Sequence, residues 1–457
     1  MTFVSRRAAL GMLSGAAASF AVPSLAAPPK ATGANTRMID VPDPKNPTPD
    51  QLWDTVQHRA FAFFWNETHP ETGQTKDRAY SLLSAGADTH TVASIAATGY
   101  MFASLPIAVE RKWIGKKEAE QRALTSLRYL RDDMENVMGF YYHFQDWATG
   151  KRVWNCELSS IDTGLLMLGA LVAGQYFGGE VRTLADEIFS RVDWQWMTRG
   201  VPFGQPKEPS PRTLSMGWKP ETGFIPARWQ GYTEASYLYL LAMGAPRYPL
   251  PSSTWQNWGV EEAPEPHMGY RILGKPAPLF WAQMTPGYYD LRGKKGSMGL
   301  DWWMYFANAH KGNHAYCAAN PKLYPKHTEP VWGITACDQP PAQTGQGHGY
   351  GAQEPVDGRN DGTTAPTAAL AGILFMPEVA TRTMMDYWEH YRDRLWGRYG
   401  FSNAFNVVKN WYDEDVIGID LGMMILAIEN HRSGLIWKLM HAHPVGKKGL
   451  TAAGFIR

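Results

Sequence analysis

The feature that most limits the fold is a series of helical runs of two contrasting kinds. SSIDTGLLMLGALVAGQYF, TEASYLYLLAMG and IDLGMMILAIENH are rich in small residues and apolar around most of their circumference. Such helices must be covered on every side. EVATRTMMDYWEHYRDRLW and KKEAEQRALTSLRYLRDDM instead show one apolar stripe and one charged face, the pattern of a helix that covers something. About twelve runs of these two kinds follow one another from TPDQLWDTVQHRAFAFFW to GLIWKLMHA. Buried helices inside amphipathic ones is the arrangement an (α/α)6 barrel requires, so the expected fold class is all-α. No alternating strand/helix rhythm supports a parallel α/β barrel, and no fixed short period supports a solenoid.

The chain has 457 residues, and residues 49–457 read as one catalytic-sized unit. Ahead of it, MTFVSRRAALGMLSGAAASFAVPSLAAPPK combines a short basic start, an apolar run and small residues before APP. Residues 1–26 are therefore expected to be a signal peptide, possibly twin-arginine because of Arg6 and Arg7. Residues 27–48, rich in Pro and Ala, read as a linker. The expectation is a periplasmic or secreted, monomeric protein with no stable membrane insertion. Three cysteines, Cys156, Cys317 and Cys337, allow at most one disulfide and read as buried thiols. Neither HExxH nor paired Cys/His spacing occurs, so no metal is expected. Charged residues make up only 19% and the net charge is +1, which argues against nucleic acid. The composition is distinctive in its 19 Trp and 21 Tyr. Many stand in polar, Gly/Pro-rich loops at 198–231, 244–275 and 318–363, where an amphipathic ring suits the C–H face of a sugar.

Candidate chemistry lies in acids at helix starts. Glu234 in GYTEASYLYLLAMGAP is the single charged residue of that stretch, and Glu is a poor cap. Asp420 in WYDEDVIGIDLG stands between Ile419 and Leu421. Glu157 and Asp162 share VWNCELSSIDTG, Asp77 sits beside Arg78, and Asp338 and Asp361 occupy GITACDQP and RNDGTTAP. Tyr232 and Trp411 flank the two leading acids. Caps and ion pairs compete as readings: Asp162 and Asp361 look most like caps, and Asp77–Arg78 like an ion pair. Of Asp413, Glu414 and Asp415, at least one should be solvated. A helix N-terminus lowers a carboxyl pKa, so Asp420 is expected ionised. Glu234, among tyrosines, is expected to be the raised acid. Glycoside hydrolysis needs one of each across the scissile bond.

The blocks FAFFWNETHPETGQTKDR, ELSSIDTGLLMLGAL, GYTEASYLYLLAMGAP, GITACDQP, NDGTTAPTAALAGILFMPE and GIDLGMMILAIENHRSGLIWKLM resemble, in order, those of the glucoamylase-like family. That family includes bacterial endo-β-1,2-glucanases of glycoside hydrolase family 144. The resemblance implies an (α/α)6 barrel, no cofactor, and inverting hydrolysis of a β-1,2-glucan substrate. It implies Glu234 as general acid and Asp420 on the base side, with Asp415 the alternative base in the residues themselves; the two leading acids are expected to face each other across a sugar-sized gap with room for water. Glu157, Asp162, Asp77, Arg78, Tyr232, Asp338, Asp361 and Trp411 would bind substrate. ITACDQP and GIDLG stand where relatives typically read ITASDGP and GIDQG. Two alternatives use the same cleft. One is another enzyme on this barrel, such as an α-glucan exo-hydrolase, a glucosyltransferase or a lyase using His314, His348 and Tyr350. The other is a non-catalytic sugar-binding protein.

Overall fold

The computed structural model describes residues 37–82, 86–205, 213–341 and 349–456. The expected signal peptide and residues 27–36 of the expected linker lie outside the described residues. The helices are α1 (Pro49–Asn66), α2 (Ile95–Glu110), α3 (Lys116–Asp132), α4 (Ser160–Phe177), α5 (Gly179–Ser190), α6 (Ser236–Gly244), α7 (Thr254–Asn257), α8 (Met284–Tyr288), α9 (Trp302–Ala319), α10 (Pro366–Ala371), α11 (Pro377–Leu395), α12 (Gly418–Arg432), α13 (Leu435–Ala442) and α14 (Pro444–Ala452).

Helices α2, α4, α6, α8, α10 and α12 are buried along nearly their whole length. They touch in succession: α12 meets α2, α2 meets α4, α4 meets α6, α6 meets α8, and α12 also meets α8 and α10. Gln283, just ahead of α8, donates to the Ala368 carbonyl of α10 at 2.7 Å. The amphipathic helices pack outside this layer: α1 on α2 and α12, α5 on α4, α11 on α10, and α14 on α6. Glycine allows the inner layer to close. A Cβ on Gly169 of α4 would stand 1.8 Å from the Gly99 carbonyl oxygen of α2, and one on Gly422 of α12 would stand 2.1 Å from the Tyr100 ring. Two helices can approach this closely only where a side chain is missing.

The all-α expectation needs one correction, because short antiparallel ladders join the N-terminal ends of the inner helices. Arg78–Tyr80 pairs with Asp415–Ile417, which runs into α12. Val92–Ser94, which runs into α2, pairs with Phe144–Asp146. Leu158–Ser159, which runs into α4, pairs with Gly217–Lys219. Backbone bonds close the joints: Gly418 N–H to Asp77, Ser94 to Thr75, Ile95 to His143 and His143 to Glu157, at 2.8–3.3 Å. Two- or three-residue strands are too short to imprint an alternation on the sequence. Helix α2 accordingly begins only after its ladder, at Ile95, with Ser94 as its cap.

Helix α14 was not expected, since PVGKKGLTA is a weak helix former. Its glycines are packing residues: Cβ atoms on Gly446 and Gly449 would lie 2.0 and 2.1 Å from the carbonyl oxygens of Met440 and Leu240. Residues 37–48, read as the end of a linker, lie along α1. Asn66 exchanges two bonds with the Ile39 backbone at 2.8 Å, Trp65 Nε1 donates to Arg37 O, and Arg59 donates to Val41 O. All three cysteines are free and buried. Among the described residues, no helix is long and apolar enough to cross a membrane.

Candidate active site

Of the acids singled out in the sequence, Asp77, Asp420, Glu157 and Asp162 lie at or beside ladders that run into inner helices. Asp420 is the third residue of α12 and Asp162 the third of α4; Glu234 precedes the first residue of α6 by two positions. Each of these three side chains is 1% exposed.

Asp420 is fixed from two sides. Asn403 donates through Nδ2 to Asp420 Oδ2 at 2.7 Å, and the Tyr350 hydroxyl lies 3.4 Å from Oδ1. Asn403 also accepts from the Asp338 backbone N–H at 2.9 Å and donates its own N–H to the Asp415 carbonyl. Burial is the largest influence on the Asp420 carboxyl; the Asn403 bond opposes it, while the charges of Asp338 and Asp77 add to it. The result is a pKa pushed up to about 7. The lowering expected of Asp420 from its helix N-terminus is therefore outweighed. Desolvation outweighs the helix N-terminus because the whole side chain is removed from water.

Beside it, Arg78 gathers two of the other expected residues, Asp77 and Asp338, and one more, Asp415. Its Nη1 bonds Asp338 Oδ2 at 2.7 Å and Asp415 Oδ2 at 3.2 Å, and its Nε approaches Asp77 Oδ2 at 3.4 Å. The Asp77–Arg78 pair is thus one edge of a larger cluster. Burial works against the guanidinium charge, but Asp338, Asp77 and Asp415 outweigh it and hold Arg78 charged. His90 bridges Asp88 and Asp415 at 2.6 and 3.5 Å. Burial lowers its pKa and the two carboxylates more than offset this, raising it to about 9. Asp413 is buried, and burial followed by the charges of Asp338 and Asp415 pushes its pKa well up. Glu414 is the solvated member of that acidic triplet. Asp338, Asp413 and Asp415 bring ligand oxygens within 4.8 Å of one another. Arg78 already bonds two of them, so the trio reads as an ion-pair cluster around a fixed guanidinium.

The second group lies at the start of α4. His143 Nδ1 meets Glu157 Oε1 at 3.0 Å and Nε2 meets Asp162 Oδ2 at 3.3 Å. Burial raises the Glu157 carboxyl, but the bond and charge of His143 prevail and bring it down to about 2. Asp162 is not the cap it resembled: Ser159 holds that position at α4, accepting from the Asp162 N–H at 3.2 Å and donating its hydroxyl to Asp162 Oδ2 at 2.6 Å. Tyr237 of α6 donates to the Ile161 carbonyl at 2.9 Å, which ties the Glu234 segment to the residue before Asp162. Burial, then Glu234, raises the Tyr232 phenol. The two groups meet at Tyr100, whose phenol is pushed up by burial, then by Tyr288, Asp420 and Asp162.

Asp361 and Trp411 are more peripheral. Asp361 is no helix cap: Ala365 holds that position at α10, and Asp361 pairs with Lys409 at 2.5 Å and accepts from Gln353 at 2.8 Å. Burial raises its carboxyl and these partners bring it down. Trp411 pairs in register with Asn406, whose side chain donates to the Asp361 carbonyl. Of the residues nominated for a lyase, Tyr350 is beside Asp420, His314 pairs with Glu329 at 2.9 Å, and His348 lies outside the described residues. Sequence reasoning missed Asn403, His143 and His90. None sits in a motif, and each becomes visible only through a side-chain contact: Asn403 with Asp420, His143 with Glu157 and Asp162, and His90 with Asp88 and Asp415.

The family model described as "Glycoamylase: Putative glucoamylase" matches residues 226–444, the stretch holding Glu234, Asp338 and Asp420. The glucoamylase-like resemblance is borne out. The chain is 28% identical over 447 residues to an exo β-1,2-glucooligosaccharide sophorohydrolase (non-reducing end) of Parabacteroides distasonis. The match covers 88% of this chain, which spans only 58% of the length of that relative. A solved structure from Bacteroides uniformis, described as a "putative glucoamylase", aligns with TM-score 0.78 and 28% identity, covering 90% of this chain and 99% of that one. An endo-β-1,2-glucanase from Chitinophaga pinensis, solved with sophorotriose and glucose, aligns with TM-score 0.77 over 90% of this chain and 99% of its own. At 24% identity that likeness speaks to the fold alone.

Proposed function

We propose that the chain is an exported, inverting glycoside hydrolase acting on β-1,2-linked glucan. The six buried helices are read as the inner layer of an (α/α)6 barrel with the acids at its mouth. The observation that carries the reading is Asp420: a carboxyl buried at the start of an inner helix, oriented by Asn403, with a pKa near 7. A general base is most effective when its pKa lies near the working pH. In the ionised form, Asp420 removes a proton from water attacking the anomeric carbon. Glu234, across a gap with room for that water, protonates the departing sugar oxygen, directly or through a relay. Arg78 and its carboxylates hold the strand that leads into Asp420. Glu157, Asp162, Tyr232, Asp361 and Trp411 supply hydrogen bonds and ring faces to the sugars. The choice of linkage is supported by the printed activity of the Parabacteroides relative.

The test is incubation with linear and cyclic glucans of defined linkage, followed by product chromatography and a proton spectrum of fresh product. Sophoro-oligosaccharides of inverted anomeric form are expected; products of another linkage, or retained configuration, overturn the reading. Glu234→Gln and Asp420→Asn should each abolish turnover, by at least about 10²-fold, with melting temperature held. Because the base must be ionised, kcat/KM should fall as pH drops below about 7.

A further inference from the structure

Among the described residues, Trp154 is the tryptophan that stands exposed. Among the described residues the other tryptophans are buried or half-buried, whereas Trp154 is 65% exposed. It occupies a demanding place. The Cys156 N–H bonds the Val153 carbonyl at 3.1 Å, closing a tight turn whose two central residues are Trp154 (φ 55°) and Asn155 (φ 48°). Such a turn favours Asn or Gly at both positions, and a bulky residue with left-handed backbone is strained there. Strain of this kind persists where the surroundings impose it and collects at functional sites. Here the surroundings are firm: Arg152 bonds both Glu221 and the Cys156 carbonyl at 2.6 Å, and Val153 bonds the Phe144 carbonyl.

The ring does little for the core, but it is connected to the active site. Its edge meets Phe144 with centroids 5.2 Å apart, and Phe144 stacks on His143 at 3.8 Å. His143 is the residue that bonds both Glu157 and Asp162. Trp154 therefore stands two ring layers outside Asp162, at the end of an aromatic row leading outward. A water-facing indole held rigidly there offers a flat apolar face to a pyranose ring, at little entropic cost.

We propose that Trp154 is a platform for a glucosyl residue remote from the scissile bond, so that it favours longer glucan chains over short ones. This rests on the glycosidase reading above. The experiment compares kcat/KM on a long glucan with that on the shortest oligosaccharide cleaved, for wild type, Trp154→Gly and Trp154→Phe. Glycine suits the local φ and removes an exposed ring, so the variant keeps its fold, as checked by melting temperature. The long-to-short ratio is expected to fall about threefold to tenfold in Trp154→Gly and to be largely retained in Trp154→Phe. An unchanged ratio in Trp154→Gly, or an equal loss on both substrates, overturns the platform while leaving the hydrolase reading intact. A wild type that cleaves no glucan in the panel overturns the hydrolase reading itself, and the platform with it.

Discussion

At the scale of residues, the behaviour of Asp420 is a contest between desolvation and hydrogen bonding. Asn403 is the main group favouring its ionised form, so it acts as a positioning residue that also sets how basic Asp420 is. The groups bearing on Asp420 are Asp338, Asp77 and Tyr350 as well as Asn403. Replacing Asn403 with Ala removes a donor to the carboxylate and disfavours the charged form. The low-pH limb of kcat/KM should then move to higher pH by about one unit, the size expected for one hydrogen bond to a charged group. A limb that stays in place while kcat falls would reduce Asn403 to a purely structural role. The same reasoning explains why the upward shift of Asp420 was not legible: a position at a helix start is visible in sequence, whereas complete burial is not.

At the scale of elements, the closest approach in the inner layer is α2 against α4. The atom a Gly169 methyl group would meet is the Gly99 carbonyl oxygen, part of the backbone and unable to swing aside. Gly169→Ala should therefore cost about 1–3 kcal/mol, seen as a lower urea midpoint at unchanged slope. The inner and outer helices could be read in advance because apolarity around the whole circumference and apolarity on one face are properties of a single segment. Glu234 could be read because a lone carboxylate in an apolar run is a local oddity. The ladders could not, since a strand of two residues has no period. Nor could the Arg78 cluster, whose partners lie 260 and 337 positions along the chain. Helix α14 was hidden by glycines that its packing requires.

At the scale of the whole molecule, residues 37–48 belong to the folded body rather than to a tether. Their removal strips Asn66 of two backbone partners and Trp65 and Arg59 of one each. A chain beginning at residue 49 should melt lower than one beginning at residue 37 by at least about 2 °C, measured by calorimetry; equal melting points would return this segment to the status of a spacer. The joints between short ladders and inner helices have a further effect. Asp420 with Asp77, and Asp162 with Glu157, are anchored at two such joints, each formed by backbone pairing rather than by the long connections. Loops can thus be lengthened, trimmed or exchanged over generations, changing which saccharide is admitted, while the proton-handling groups keep their registration.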